Sequence, residues 1–371
     1  MANKIVPITL LTGYLGSGKT TLLNHVLNNK QGLKTAVIVN DIGEVNIDAD
    51  LIDQGGIATQ KDENLVPLQN GCICCTLKVD LMQQIIDLCQ TGKYDYILIE
   101  ASGICEPIPI AQTISAIDEL LIKQNLPRMC RLDNVAAVVD ALRLASEFSC
   151  GGKLLDTEKI DEEDIENLLI QQIEFCNVII LNKVDKVTKE QLAEVKAVIR
   201  KLQPEAEIIE TSYSKVDVEK IVNTKSFDFM KASMSAGWIE ELNNPEEEEP
   251  ETDEYGISSF VYNRRKPLDK DKFADWVNKW PKNIIRCKGL IWFTDEKDEA
   301  YTFEQAGEQI EAVGCGKWIA AGSKREIENI LESNSSIREA WDEKYGDRVV
   351  KLVFIGQNMD REAIIKGLDE C

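Results

Sequence analysis

Gly13-Tyr14-Leu15-Gly16-Ser17-Gly18-Lys19-Thr20 is the stretch on which the reading of this sequence turns. It fits G-x-x-x-x-G-K-[ST] in the context that pattern needs: an apolar run at 5–12 reads as a strand, and a helical pattern at 19–29 follows. Glycines let backbone N–H groups turn inward around phosphate oxygens, and the helix N-terminus adds its partial positive charge. Gly13, Gly16, Ser17, Gly18, Lys19, Thr20 and the adjoining Thr21 are therefore candidate nucleotide ligands. Lys19 is placed to reach the β- and γ-phosphates, which makes it a candidate catalytic residue, and the Thr20 hydroxyl is a candidate Mg²⁺ ligand.

Outward from the loop, short apolar runs at 35–40, 94–100, 135–140, 178–181 and 208–209 alternate with helical patterns at 82–89, 166–175 and 188–202. Thr188 reads as the N-cap of the last helix, with Glu190 and Gln191 in its first turn. Fully apolar strands alternating with helices predict an α/β fold: a mostly parallel sheet covered on both faces. The sequence predicts a nucleoside-triphosphatase domain over 1–236, an acidic linker over 237–255 and a smaller α+β domain over 256–371. The linker holds the self-repelling run Glu246-Glu247-Glu248-Glu249-Pro250-Glu251-Thr252-Asp253-Glu254. Beyond it, strands are expected at 257–262, 284–294, 301–305 and 349–355. Helices are expected at 269–280, 324–344 and 361–368, on one face of an antiparallel sheet.

Two further segments sharpen the nucleotide reading. Ile97-Leu98-Ile99-Glu100-Ala101-Ser102-Gly103 ends a strand on an acidic residue, where a phosphate-loop sheet meets Mg²⁺. Glu100 is thus a candidate Mg²⁺ ligand and catalytic residue. The Gly103 N–H is placed to sense the γ-phosphate, which makes the segment a switch. Asn182-Lys183-Val184-Asp185 follows the strand at 178–181. A carboxylate there accepts two hydrogen bonds from N1–H and N2–H₂ of guanine, donors that adenine lacks, so Asn182, Lys183 and Asp185 predict GTP rather than ATP. Thr211-Ser212-Tyr213 is expected to complete the base pocket.

Composition bounds the rest. The chain has 371 residues, 44% hydrophobic and 29% charged, as a globular protein of two domains would. A net charge of −22 argues against a nucleic-acid partner and against docking on an anionic membrane. No apolar run is long enough to span a bilayer and no signal-peptide pattern opens the chain, so a cytoplasmic setting is expected.

Most of the 11 cysteines stand singly in apolar segments and read as small buried hydrophobes. Gly71-Cys72-Ile73-Cys74-Cys75-Thr76 does not. It falls between the strands at 35–40 and 94–100, and its spacing is not the paired C-x₂₋₄-C of a closed zinc knuckle. Two or three thiolates with an open position suit Zn²⁺, Co²⁺ or Cu⁺. A redox pair is the alternative, giving a GTPase that acts as an assembly or regulatory factor. A small-molecule kinase is a third reading, opposed by the guanine-reading segment. Asn40-Asp41-Ile42-Gly43-Glu44 adds Asp41 and Glu44 as candidate oxygen ligands. His25, the one histidine, lies on the helix after the phosphate loop and reads as structural.

Together the 13–20 loop, Asn40-Asp41-Ile42-Gly43-Glu44, Gly71-Cys72-Ile73-Cys74-Cys75, Glu100-Ala101-Ser102-Gly103, 182–185 and the C-terminal region from Tyr255 resemble the CobW-type metallochaperone GTPases. These are relatives of the nickel-delivery GTPases of hydrogenase and urease maturation. The ending Gly346-Asp347-Arg348…Leu352-Val353-Phe354-Ile355-Gly356 is similar to that of the subgroup tied to zinc limitation. The resemblance implies GTP hydrolysis coupled to loading a transition metal, zinc or else cobalt, on the cysteines and delivering it to a client metalloprotein. The sequence shows no cis arginine finger, so slow intrinsic turnover is expected, stimulated by a client or by a nucleotide-dependent homodimer. Two departures stand out: Asp41 replaces the Glu frequent in the family, and the acidic run replaces a histidine-rich stretch.

Overall fold

Val6–Thr12 is buried along its whole length, as a strand flanked by parallel neighbours must be. In the computed structural model, which describes residues 5–28, 33–39, 65–67, 78–103, 105–123, 125–148, 163–237, 239, 256–306 and 309–371, this strand (β1) is the centre of a seven-stranded sheet. The other strands are β2 (Thr35–Val39), β3 (Leu65–Pro67), β4 (Tyr96–Glu100), β5 (Cys130–Asp140), β6 (Val178–Asn182) and β7 (Glu207–Glu210). Their order is β3-β2-β4-β1-β5-β6-β7, and every pairing is parallel.

The strand order places a crevice. The chain leaves β1 toward β2 on one side and leaves β4 toward β5 on the other. Adjacent strands whose connections diverge leave an opening outside their carboxyl ends, the usual ligand position in such sheets. Register puts Leu11 of β1 beside Glu100 of β4 at that end.

The helices of this unit are α1 (Lys19–Asn28), α2 (Lys78–Thr91), α3 (Pro107–Lys123), α4 (Ala141–Phe148), α5 (Glu163–Glu174), α6 (Lys189–Leu202) and the short α7 (Phe229–Met234). On α1 the buried residues Lys19, Leu22, Leu23 and Val26 recur at helical spacing, and the three apolar ones join Leu11, Leu98, Val138 and Ile180 in one cluster. Each such aliphatic side chain contributes roughly 1.5–3 kcal/mol when fully buried. Thr188 caps α6 with a full capping box, its hydroxyl accepting from the Gln191 N–H while the Gln191 side chain accepts from Thr188 N–H.

The second unit is an antiparallel five-stranded sheet of order β11-β10-β9-β12-β8. Its strands are β8 (Ile257–Arg264), β9 (Ile284–Ile291), β10 (Glu299–Ala306), β11 (Gln309–Lys317) and β12 (Val350–Gln357). Its helices are α8 (Lys270–Val277), α9 (Lys324–Ser333), α10 (Ser335–Glu339) and α11 (Arg361–Asp369). Phe273 of α8 and Ile364 and Leu368 of α11 close a core built on Phe260, Phe303 and Phe354. Phe260 and Phe354 stack 5.0 Å apart between neighbouring strands.

The mostly parallel sheet and the following α+β unit agree with the sequence reading, but several elements do not. The single helix expected at 324–344 ends at Ser333, because Asn334 is extended (φ −138°, ψ 99°). After α10 the chain turns tightly, with Gly346 at φ +69° paired to Asp342. Arg265 donates to the carbonyls of Ala340, Gly346 and Arg348 and holds that turn in place. Helix α3 went unpredicted because Pro107 and Pro109 in its first turn mask its start, although Ile110, Ile114, Ile117 and Leu121 recur at helical spacing; strand β11 did because it alternates weakly and carries Gly314 and Gly316.

Candidate functional site

The loop after β1 is shaped by backbone geometry that only glycine adopts readily: Gly13, Gly16 and Gly18 have φ of +134°, +74° and +111°. At Gly18 a Cβ would lie 2.4 Å from Asn182 Nδ2 and 2.8 Å from Ser214 Oγ, so the turn closes only without a side chain. Around Gly16 nothing among the described residues lies within 4 Å of that position. Lys19 is buried, and its Nζ donates to the carbonyls of Gly13 (2.7 Å) and Tyr14 (3.2 Å). The cation thereby stays within the curl of the loop. Ser17 Oγ and Thr12 Oγ1 are buried with no hydrogen-bond partner among the described residues, a condition that favours a polar ligand in the crevice.

Across the crevice the Thr20 hydroxyl donates to Glu100 Oε1 at 3.1 Å. Ala101 N–H donates to Leu11 O at 2.9 Å, so the residues just past β4 are zipped to the root of the loop. Two hard oxygen donors facing each other suit Mg²⁺, which keeps several waters and takes one or two protein ligands. Gly103 packs directly on the loop: a Cβ there would lie 2.7 Å from both Leu15 N and Leu15 Cδ2. Gln172, buried on α5, donates toward Gly103 O and Cys105 O at 3.4 and 3.3 Å and holds that turn.

The segment after β6 divides its work in a way the sequence did not reveal. Asn182 is buried, and both ends of its amide go to the protein: Nδ2 donates to Ser17 O (2.8 Å) and Oδ1 accepts from Ser214 N–H (3.0 Å). Its place is therefore between the phosphate loop and the turn after β7, as a brace. Ser214 completes that brace by donating to Gly18 O at 3.0 Å. Lys183 takes a left-handed conformation (φ 61°) and its ammonium contacts the Asp140 carboxylate. Asp185 points to solvent-accessible space, and the Ser212 hydroxyl beside it holds its carboxyl below the usual range, with Lys186 at 3.4 Å adding to the effect. It is the ionised double acceptor that a guanine edge needs. Thr211 instead turns inward and donates to Lys215 O at 2.9 Å, while Tyr213 is exposed.

Ser214, Asp140, Arg143 and Gln172 are the residues that sequence reading missed. Arg143 lies over the Tyr14 ring, 4.1 Å from its centroid. A serine four residues past a short strand carries no signal of its own; the strand end at Asp140, matching that at Asn182 in register, was the one clue available.

Asp41, Glu44, Cys72, Cys74 and Cys75 lie outside the described residues. Among the described residues no group of three His, Cys, Asp or Glu is placed to hold a metal. His25 Nε2 lies 2.6 Å from Val216 O, so the ring ties α1 to the segment after β7, in line with a structural role. No described helix is long and apolar enough to cross a membrane.

Comparison with known proteins fits this architecture. Residues 7–210 match the family model "CobW/HypB/UreG, nucleotide-binding domain", and residues 257–371 match "Cobalamin synthesis protein cobW C-terminal domain". Zinc-regulated GTPase metalloprotein activator 1 of Dictyostelium discoideum is 38% identical over 382 residues, 99% of this chain and 79% of that protein. Zinc chaperone YjiA of Escherichia coli (strain K12) is 30% identical over 306 residues, 78% of this chain and 83% of its own. The crystal structure of Zn(II)-bound YjiA GTPase from E. coli aligns over 99% of this chain and 98% of that one, at 20% identity and a TM-score of 0.42. With its phosphate loop, its acidic strand end and the matched second unit, the chain belongs to the CobW/HypB/UreG family of P-loop GTPases, in the branch that carries the CobW C-terminal domain.

Proposed function

We propose that this GTPase is a metallochaperone that loads a transition metal in a GTP-dependent manner and delivers it to a client metalloprotein. The carrying observation is convergence: the phosphate loop of β1, Glu100 of β4 and Asp185 past β6 all lie at the carboxyl end of one parallel sheet. In the reading, Lys19 and the loop N–H groups hold the β- and γ-phosphates, Thr20 and Glu100 hold Mg²⁺, and Asp185 reads guanine. Mg²⁺, when bound, neutralises charge developing on the phosphate oxygens.

The metal half is supported by two things. The cysteine segment falls in sequence between β3 and α2, after the candidate ligands at 40–44 and before the strand that ends in Glu100. A whole-length relative bears a zinc-regulated name. Cys72, Cys74 and Cys75, with Asp41 and Glu44, would hold the cargo ion as substrate, zinc before cobalt by the softness of the donors. The division into a GTPase domain over 1–236, an acidic linker over 237–255 and a CobW-like domain over 256–371 belongs to the same proposal. So do a cytoplasmic setting and a nucleotide-dependent homodimer.

The test is zinc and cobalt affinity with a non-hydrolysable GTP analogue, with GDP and without nucleotide, in wild type and in a triple Cys72→Ser, Cys74→Ser, Cys75→Ser protein. Tight binding with the analogue, weak binding with GDP and loss in the triple variant are expected. Equal affinity in all three nucleotide states ends the gating idea, because a ligand blind to two states cannot shift them. Undiminished metal binding in the triple variant leaves the redox reading of those cysteines instead.

A further inference from the structure

Asp140 ends β5 in register with Asn182, the last residue of β6, and β5 lies between β1, which leads into the phosphate loop, and β6, which leads into the segment proposed to read the base. One of its carboxylate oxygens contacts the Lys183 ammonium, and the other accepts from the backbone N–H groups of Leu142 (3.0 Å) and Arg143 (3.2 Å) at the start of α4. Arg143 in turn lies on the ring of Tyr14, the second residue of the phosphate loop. The same carboxylate therefore ties Lys183 on one side and the helix start carrying the Tyr14-stacked guanidinium on the other. The pair is well sheltered on the acid side, where the Asp140 side chain is 15% exposed, and open on the Lys183 side.

The left-handed backbone at Lys183 gives this contact a purpose. A non-glycine residue at φ 61° costs of order 1 kcal/mol and persists where surroundings hold it. Holding Lys183 there turns the chain so that Asp185, two residues on, presents its carboxylate outward beside Ser212. We infer that Asp140 is a positioning residue for guanine selection: through Lys183 it fixes the base-reading loop, and through the α4 start it registers that loop against the phosphate loop. This rests on the proposal that the crevice binds GTP.

Asp140→Asn is the informative change, because the amide keeps the shape and the oxygen that caps Leu142 and Arg143 while removing the charge that holds Lys183. Steady-state hydrolysis of GTP, ITP and ATP is compared for wild type, Asp140→Asn, Lys183→Gln and the double variant, with melting temperatures alongside. ITP lacks the 2-amino donor that Asp185 would accept.

A rise of about tenfold in KM for GTP, with kcat within about twofold and a reduced preference for GTP over ITP, is expected for Asp140→Asn, the size of one charge-assisted hydrogen bond. The double variant should lose no more than either single one, since the two residues act through one contact. Unchanged KM and GTP-to-ITP preference in Asp140→Asn overturns the inference, as does full additivity in the double variant. If Asp140→Asn does not fold, Lys183→Gln decides alone: an unchanged KM and preference overturns it. A wild type that does not prefer GTP over ATP refutes the underlying nucleotide reading instead.

Discussion

Replacing Asn182 by Ala is the sharpest probe of how this site is held together. The change strips the donor from Ser17 O and the acceptor from Ser214 N–H, both in buried contacts of 2.8 and 3.0 Å. Each orphaned buried group costs about 1–3 kcal/mol, so the pair comes to roughly 3 kcal/mol before any cavity cost. If that falls on global stability, the melting temperature of the GTPase unit drops by about 6–12 °C, at 2–4 °C per kcal/mol for a unit of this size. Should the loop alone loosen, the same energy appears as about a 100-fold loss of nucleotide affinity. Calorimetric melting with and without Mg²⁺–GDP, paired with titration calorimetry of GDP, separates the two. Ser214→Ala is the internal control: it removes only the bond to Gly18 O and should cost about 1 kcal/mol. An Asn182→Ala protein that melts within 1 °C or so of wild type and binds GDP within about twofold would refute the brace, since buried groups of this kind cannot be orphaned for nothing.

Thr20→Ala removes the hydroxyl that donates to Glu100 and is expected to slow phosphate release about 100-fold, some 3 kcal/mol of barrier, with Mg²⁺-free GDP binding kept; turnover within threefold or so counts against the Mg²⁺ assignment. Gly103→Ala drives a methyl to 2.7 Å from Leu15 N and should lower GTP hydrolysis more than it lowers the melting temperature, at an overpacking cost of about 1–3 kcal/mol; full activity rejects the close approach. Burial pushes the Cys176 thiol up to about 12, so at pH 8 only about one molecule in 10⁴ carries the reactive thiolate. Exposed Cys315 should therefore be alkylated well before Cys176 or Cys287, read by mass spectrometry of peptides. Raising the pH toward 12 speeds Cys176 and narrows the gap; prompt labelling of Cys176 at pH 8 contradicts its burial.

Much of the fold was readable because its signals are local. A buried parallel strand is an apolar run, Thr188 and Gln191 announce α6 three residues apart, and the loop at 13–20 must follow a strand and open a helix. The helical pattern at 324–344 is interrupted for the converse reason: the turn at Gly346 is held by Arg265, 81 residues earlier, which leaves no mark on local periodicity. The candidate site divides similarly. Gly13, Gly18, Lys19, Thr20 and Glu100 follow from the loop and the strand end, because backbone geometry and spacing dictate their residue types.

By itself, then, the sequence determined the phosphate loop and the parallel architecture, since each rests on contacts within a turn or a strand. Only the tertiary structure decided what Asn182, Ser214 and Asp140 do. Asn182 meets Ser17 across 165 residues, Ser214 meets Gly18 across 196, and Lys183 meets Asp140 across 43. Such partners are chosen by strand order and register. A one-residue slip in the β5–β6 register would turn Asp140 or Asn182 to the other face of the sheet and undo the contacts it makes.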